Sequence, residues 1–329
     1  MSLTSNIWHL ASSLMLIECV PNFSEGRKTE TVKALTVAIE SVASTIVIGT
    51  HMDGDHNRSV ITFVASPERV VEAALRAVAT ATELIDMREH RGVHPRLGAT
   101  DVLPFVPVSG VTIAECVTLA HEAGKRIARE LSIPVYFYER AALRPDRVNL
   151  ADVRRFPFEA LREQIRINRD RTPDVGPSHL HETAGAIAVG ARPFLIAFNV
   201  NLRSSDVAIA RRIAQAIRGR DGGLPQLKAL GFELESRGIV QVSMNLVDYE
   251  TTGMVQAFEA VRKQAELHGV EIAGAEIVGL VPEAAFDANA AYVPFLENFS
   301  AATILENRLK LFAGSAGGPP ALSAKREKD

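Results

Sequence analysis

Cysteine is almost missing from this chain: Cys19 and Cys116 are the two among 329 residues. That excludes a disulfide framework and fits a reducing compartment, so a cytoplasmic protein is expected. A dominant charge is missing as well. Lys and Arg number 36 against 39 Asp and Glu, a net charge of -3, and nothing marks the whole molecule as a nucleic-acid binder. An anionic ligand must therefore be held by a local arginine cluster. No apolar run is long enough to cross a bilayer, so no membrane span is expected. The mildly apolar stretch Ile7 to Ala11 is broken by Ser12 and Ser13. It has neither a basic leading region nor a cleavage site, which argues against a signal peptide. Residues 1–14 read as a disordered lead or a mis-assigned start, because Met15 stands directly before the first strand-like segment. Residues 314–329, rich in glycine, proline and charge, read as a disordered tail.

Hydrophobic residues make up 47% and charged residues 23%, the balance of a globular protein long enough for one large domain or two. Short β-branched runs alternate with longer amphipathic stretches. Strands are expected at Leu16–Val20, Thr45–Gly49, Ser59–Val64, Val102–Val108 and Pro134–Tyr138. Helices are expected at Lys28–Val42, from the Ser66-Pro67 start to Ile85, and from the Thr112/Glu115 capping box to Leu131. Residues 140–190 are less regular. A second series follows: strand Phe194–Asn201, helix Ser205–Ile217, strands Gly231–Glu235 and Ile239–Leu246, helix Gly253–Leu267, strand Glu271–Val278 and a last helix Ala301–Phe312. Each half thus reads β-α-β-β-α-β. The expected fold is α/β (α+β): two ferredoxin-like subdomains, 15–190 and 191–313, each a mixed sheet with helices on one face. A single large α/β domain is the alternative.

Three polar segments interrupt this framework. In His90-Arg91-Gly92-Val93-His94-Pro95-Arg96 the two histidines are four apart, a metal-ligand spacing on a helix. Gly92 and Pro95 argue against a continuous helix, and a loop on a rigid scaffold is the better reading. Histidine titrates near neutrality and can take and return a proton. Arg91 and Arg96 can grip carboxylates while keeping that imidazole neutral. A surface loop with an incidental histidine is the alternative. The second segment, His51 to Arg58, can bind a divalent metal, orient a histidine or solvate a hairpin, and Asn57 and Arg58 lead straight into a strand. The third, Pro173 to Gly185, has glycines on either side of a polar run, which suits close approach to a flat ligand or an interdomain linker. Arg218 to Gly223 lacks the strand-to-helix context and the lysine of a phosphate-binding loop.

Several segments together resemble the glutamate formiminotransferase family: Glu18-Cys19-Val20-Pro21-Asn22-Phe23-Ser24-Glu25-Gly26, Leu84-Ile85-Asp86-Met87, and Gly92 with His94-Pro95-Arg96. Ala191-Arg192 with Phe194 to Asn199, Gln241-Val242-Ser243 with Asn245-Leu246, and Val278 to Pro282 extend the likeness over about Met15–Phe312, nearly the whole chain. The resemblance implies transfer of a formimidoyl group from N-formimidoylglutamate to N5 of tetrahydrofolate, which is a co-substrate, with no metal expected. It implies two similar α/β subdomains around a cleft, in a homodimer. It places the catalytic histidine at His94. It also places a folate-contacting loop at Gly176, Pro177, Ser178, His179, Leu180, His181, Glu182, Thr183, Ala184 and Gly185. Where mammalian members have an assisting aspartate this chain has His51, so Asp53 or Asp55 takes that role or His94 is oriented differently. Mammalian members are fused to a cyclodeaminase. This chain ends before such a module, and a separate cyclodeaminase or another route for the product is expected.

On this reading one imidazole removes the proton from N5 and returns one to the departing glutamate nitrogen. The glutamate carboxylates of both substrates give Arg58, Arg96, Arg192 and Arg203 a role beside it. A 5-formyltetrahydrofolate cyclo-ligase-like or formyl-transfer activity is an alternative on the same cofactor. A metal-dependent hydrolase built on His51, Asp53, Asp55, His56, His90 and His94, or a non-catalytic folate-binding protein, is the alternative of a different class.

Overall fold

The computed structural model describes residues 15–92, 95–297 and 299–313. His94, the expected lead (1–14) and the expected tail (314–329) lie outside these described residues. The chain opens with β1 (Leu16–Cys19), β2 (Asn22–Phe23), α1 (Thr29–Glu40), β3 (Ile46–Asp53), β4 (Arg58–Ala65), α2 (Pro67–Leu84), β5 (Thr100–Ser109), α3 (Ile113–Leu131) and β6 (Val135–Glu139). The segment that reads as irregular contains α4 (Leu150–Val153) and α5 (Phe158–Ile167) and ends in β7 (Ile187–Ala191). Then come β8 (Ile196–Leu202), α6 (Val207–Ile217), β9 (Leu227–Leu234), β10 (Ile239–Leu246), α7 (Met254–Leu267), β11 (Ile272–Val278) and α8 (Leu305–Ala313).

Local chemistry explains most starts. At α3 the Thr112 hydroxyl accepts from the Glu115 N–H at 3.2 Å, and the Glu115 carboxylate accepts from the Thr112 N–H at 2.7 Å, the reciprocal box expected from the sequence. Ser66 occupies the position before α2, but its hydroxyl makes no capping bond, and the fixed backbone angle of Pro67 starts the helix instead. Val32, Leu35 and Ile39 recur at helical spacing on α1 and are buried together.

The first sheet has seven strands. β1 and β2 follow one another in the slot between β4 and β5, each antiparallel to both. β3 flanks β4 antiparallel, while β7 runs parallel to both β5 and β6. Helices α1, α2 and α3 cover one face, over Ile17, Phe23, Phe63, Phe105 and Phe137. The expectation of helices on one face alone needs correcting here. Tyr136, Tyr138 and Ala188 point the other way and pack under Val153, Leu161 and Ile165 of α4 and α5. The parallel strands β6 and β7 are apolar on both faces, and both must be covered.

The second sheet has the order β11-β8-β10-β9. Its pairings are all antiparallel, so the mixture of strand directions expected of both halves belongs to the first sheet. Helices α6 and α7 cover one face, where Ile213, Phe258 and Val261 meet Phe198, Val242 and Met244. Seams join the halves at two edges. Ile48 and Val64 of the first sheet pack with Leu280 and Leu305. Elsewhere Lys228 pairs with Glu139 at 3.1 Å, and Ser236 donates to Asp55 at 2.6 Å. The two sheets are thus joined by one apolar seam and one polar one.

Candidate active site

Three loops converge beside β4, and Asn57 ties them. Its backbone is left-handed, with φ 49°, a conformation asparagine tolerates better than most residues. Its side-chain oxygen accepts from the Gly26 N–H at 3.0 Å, and its amide donates to the Arg91 carbonyl at 2.8 Å. Gly92 passes so close that an added Cβ would lie 2.5 Å from the His56 carbonyl oxygen, so any other residue would push the loop away. His90 fixes the same loop from beneath. Its Nε2 meets the Asn57 carbonyl at 2.9 Å, and Nδ1 accepts from Arg96 Nε at 3.0 Å. A guanidinium only donates, so Nδ1 is the acceptor and the proton sits on Nε2. Burial pulls the His90 pKa below its ordinary value; the Arg96 charge adds to this and the Asn57 bond opposes it. His90 is a neutral positioning group with both ring nitrogens engaged.

Arg96 reads from the sequence as a substrate grip, but its other end is held at 2.6 and 3.1 Å by Glu159 of α5. Arg96 therefore links the histidine loop to the first half's irregular segment. Asp53 accepts from the His56 N–H at 2.9 Å and meets His56 Nδ1 at 2.6 Å. Burial pushes the Asp53 carboxyl up, but the two His56 bonds and the charges of His56 and His51 leave it below the usual range. The far side of the His56 ring meets Phe232 edge-on, 4.8 Å between centres. Asp55 is taken by Ser236. His51 stands on β3 opposite Val60.

Arg58 donates to the Asn22 side chain. Burial lowers its pKa to about 10, helped by the Arg154 charge and opposed by Asp101 and Asp53, so it stays cationic at neutral pH. Asp101 accepts from the Leu97 N–H at 2.9 Å and pairs with Arg154. Ser24, His56, Asn57, Arg58, His90 and Arg96 line one small cavity together with Phe23 and Asp101. Arg192 is buried at the end of β7, where its charge acts on Glu18 and Tyr138. Arg203 is exposed and pairs with Glu271 at 3.7 Å, away from these groups.

The Gly176 to Gly185 loop is anchored at both ends. Just before it, Asp174 accepts from the Phe137 N–H at 2.8 Å and pairs with Arg147 at 2.5 Å. At the far end His181 and Gly185 exchange backbone bonds of 3.0 and 3.1 Å, and the Ala184 carbonyl accepts from the Ala99 N–H at 2.8 Å. The Thr183 carbonyl accepts from the Met87 N–H, and Glu182 pairs with Arg88. Ser178 and His179 are exposed, Pro177 and Leu180 half-buried. His181 Nδ1 accepts from the Ala184 N–H at 3.1 Å, and burial lowers its pKa, against the Glu182 charge. The loop therefore docks on residues 86–99, the segment that carries the histidines.

Sequence reasoning missed Asn22, Asp101, Arg154 and Glu159, whose partners are remote in the chain. The Asp53–His56 pair had a local signal, since an Asp three residues before a His in a turn commonly caps the backbone. Among the described residues no three His, Cys, Asp or Glu side chains are gathered as a metal site. In the constellation expected of a hydrolase, His90 is engaged by Arg96 and Asn57, and Asp55 by Ser236.

The sequence profile described as "Formiminotransferase domain, N-terminal subdomain" matches residues 16–192, and "Formiminotransferase domain" matches 197–312. The chain belongs to the formiminotransferase family. It is similar to a "Glutamate formimidoyltransferase" of Thermoplasma acidophilum, 48% identical over 90% of this chain and 98% of that protein. A protein of the same name from Streptococcus pyogenes serotype M1 is 44% identical over 89% of this chain and 98% of its own length. The "Formimidoyltransferase-cyclodeaminase" of Rattus norvegicus is 44% identical over 84% of this chain and 52% of that protein. The first matched profile ends at Arg192, just after β7, and the second begins within β8.

Proposed function

We propose that the chain transfers the formimidoyl group of N-formimidoyl-L-glutamate to N5 of tetrahydrofolate and releases L-glutamate. The observation that carries this is the 48% identity running through 98% of a protein named for that activity. N5 attacks the formimidoyl carbon and forms a C–N bond, giving a tetrahedral intermediate with a cationic nitrogen. His94 removes that proton and delivers one to the glutamate nitrogen as its C–N bond breaks. An imidazole near its ordinary pKa of ~6.5 serves both steps, with a contribution of roughly 10²–10⁴-fold. Holding both reactants in one cleft contributes at least as much. The reaction so written needs no metal.

Support for His94 comes from the described residues that flank it in the chain. Before it, the Arg91 carbonyl is held by Asn57, and after it Arg96 is bonded to His90 and lines one cavity with His56, Asn57 and Arg58. Arg58 and Arg192 are the buried cations for substrate carboxylates, and Arg96 holds the loop. Asp53 orients His56, which lines the same cavity as His90 and Arg96. Gly176 to Gly185 is the folate-contacting loop, supported by its docking on residues 86–99. The subdomains are 15–190 and 191–313; the second, with its β-α-β-β-α-β order, is the ferredoxin-like one, and the first is an elaborated version. The family resemblance further supports a cytoplasmic homodimer, with a cyclodeaminase taking up the product, an activity joined to the transferase in the name of the rat relative.

The test is His94→Ala. Turnover is expected to fall about 10²–10⁴-fold, while tetrahydrofolate binding, read by calorimetry, stays within about threefold. Full turnover by that variant would end the mechanism.

A further inference from the structure

The helix-free face of the second sheet is polar, and strand register sets its side chains in rows. Gly274, Asn201, Gln241 and Phe232 lie side by side, and Glu276, Asn199, Ser243 and Leu230 form the next row. Phe232 ends the first row against the His56 ring, so this face borders the cavity described above. Asn199, Asn201 and Gln241 are 6%, 0% and 2% exposed. Each of their amide nitrogens donates within the network. Asn199 Nδ2 donates to Glu276 Oε1 at 2.8 Å, and Gln241 Nε2 donates to the same oxygen at 3.1 Å and to Asn201 Oδ1 at 3.0 Å. Asn201 Nδ2 donates to Glu297 at 3.3 Å, which Arg237 holds through two further bonds.

A carboxylate only accepts, so Glu276 fixes which way both amides turn. What remains is Asn199 Oδ1 and Gln241 Oε1, buried and without a hydrogen-bond partner among the described residues. Such atoms are costly to leave unpaired and call for an explanation. Two of them on adjacent strands, beside a carboxylate, present acceptors and negative charge.

We propose that Asn199, Gln241 and Glu276 form the subsite for the donor-bearing edge of the pterin, its 2-amino group and N3–H. This rests on the folate reading above. That edge is flat, uncharged and rich in N–H donors, and it takes no part in bond making. The glutamyl carboxylates of either substrate would be repelled by Glu276 and by both amide oxygens, so they go to the arginine side. The formimidoyl group also bears N–H, but its carbon must reach the histidine loop of the first half.

The experiment compares inhibition by folic acid and by 2-desaminofolic acid, in the wild type and in Gln241→Met, which keeps the shape and removes the acceptor. The wild type is expected to prefer folic acid about tenfold. In the variant the ratio falls toward one and the KM for tetrahydrofolate rises about tenfold, while the KM for formimidoylglutamate stays within about twofold. Equal inhibition of the wild type by both compounds overturns the proposal, and so does a rise confined to the formimidoylglutamate KM. Should Gln241→Met fail to fold, the wild-type ratio alone decides. A wild type that discriminates the two folates yet releases no glutamate would sink the transferase reading and leave this subsite standing.

Discussion

Glu18 is a buried carboxyl group on the first sheet. Its neighbours on β1, Ile17 and Cys19, belong to the helix-side core, so alternation along the strand turns Glu18 to the opposite face. There it is 3% exposed, paired across the ladders with Val64 and Val106. Burial pushes its pKa up to about 7 from 4.5, against the pull of the Arg192 charge. The native state therefore holds a proton that the unfolded chain has already released above pH 4.5. Where the native state binds more protons, stability falls as pH rises. The contribution is fully present below about pH 4.5 and is lost as pH passes about 7. Glu18→Gln keeps the shape without the charge. In ligand-free protein the variant is expected to be the more stable by up to about 3 kcal/mol at pH 8, with the gap reduced to about 1 kcal/mol or less at pH 5. Urea unfolding at the two pH values reads this, and a gap independent of pH would contradict the buried, protonated state.

At the scale of elements, the His181–Gly185 turn is the joint between the loop proposed to contact folate and the histidine segment. Gly185 has φ +75°, and an added Cβ would lie 2.5 Å from the Leu97 carbonyl oxygen. Gly185→Ala is expected to cost about 1–3 kcal/mol in urea unfolding and to raise the KM for tetrahydrofolate. A variant as stable as the wild type would show that this pairing yields freely. Strands and helices with a clear period, such as β10 and α3, were legible because each states its own pattern locally. β2 was not: two residues long, it exists because Asn22 and Phe23 pair with strands β4 and β5, both remote in the chain. Nor were α4 and α5, whose segment is pinned by the buried Arg147–Asp174 pair and by Tyr136 donating to the Arg171 carbonyl at 2.6 Å. The same division holds in the site. Asp53, Asn57, Arg58 and Arg96 could be named from loop composition, and they do gather. That Asp53 serves His56, or that Arg96 spans His90 and Glu159, depends on approaches no sequence spacing states.

The whole molecule is two sheets closed against each other along an apolar seam and a polar one, with the candidate site where the polar seam ends at His56 and Phe232. The first sheet carries Arg58 and, at the end of β7, Arg192; the second carries the unpaired amide oxygens beside Glu276. That asymmetry suits a reaction whose partners both end in glutamate and of which one begins in a pterin. It also makes the choice of donor the central question. Purified protein should be assayed in parallel with tetrahydrofolate plus N-formimidoyl-L-glutamate, and with 5-formyltetrahydrofolate. The account predicts glutamate release that requires tetrahydrofolate in the first reaction. Conversion of 5-formyltetrahydrofolate with formimidoylglutamate left untouched would contradict it.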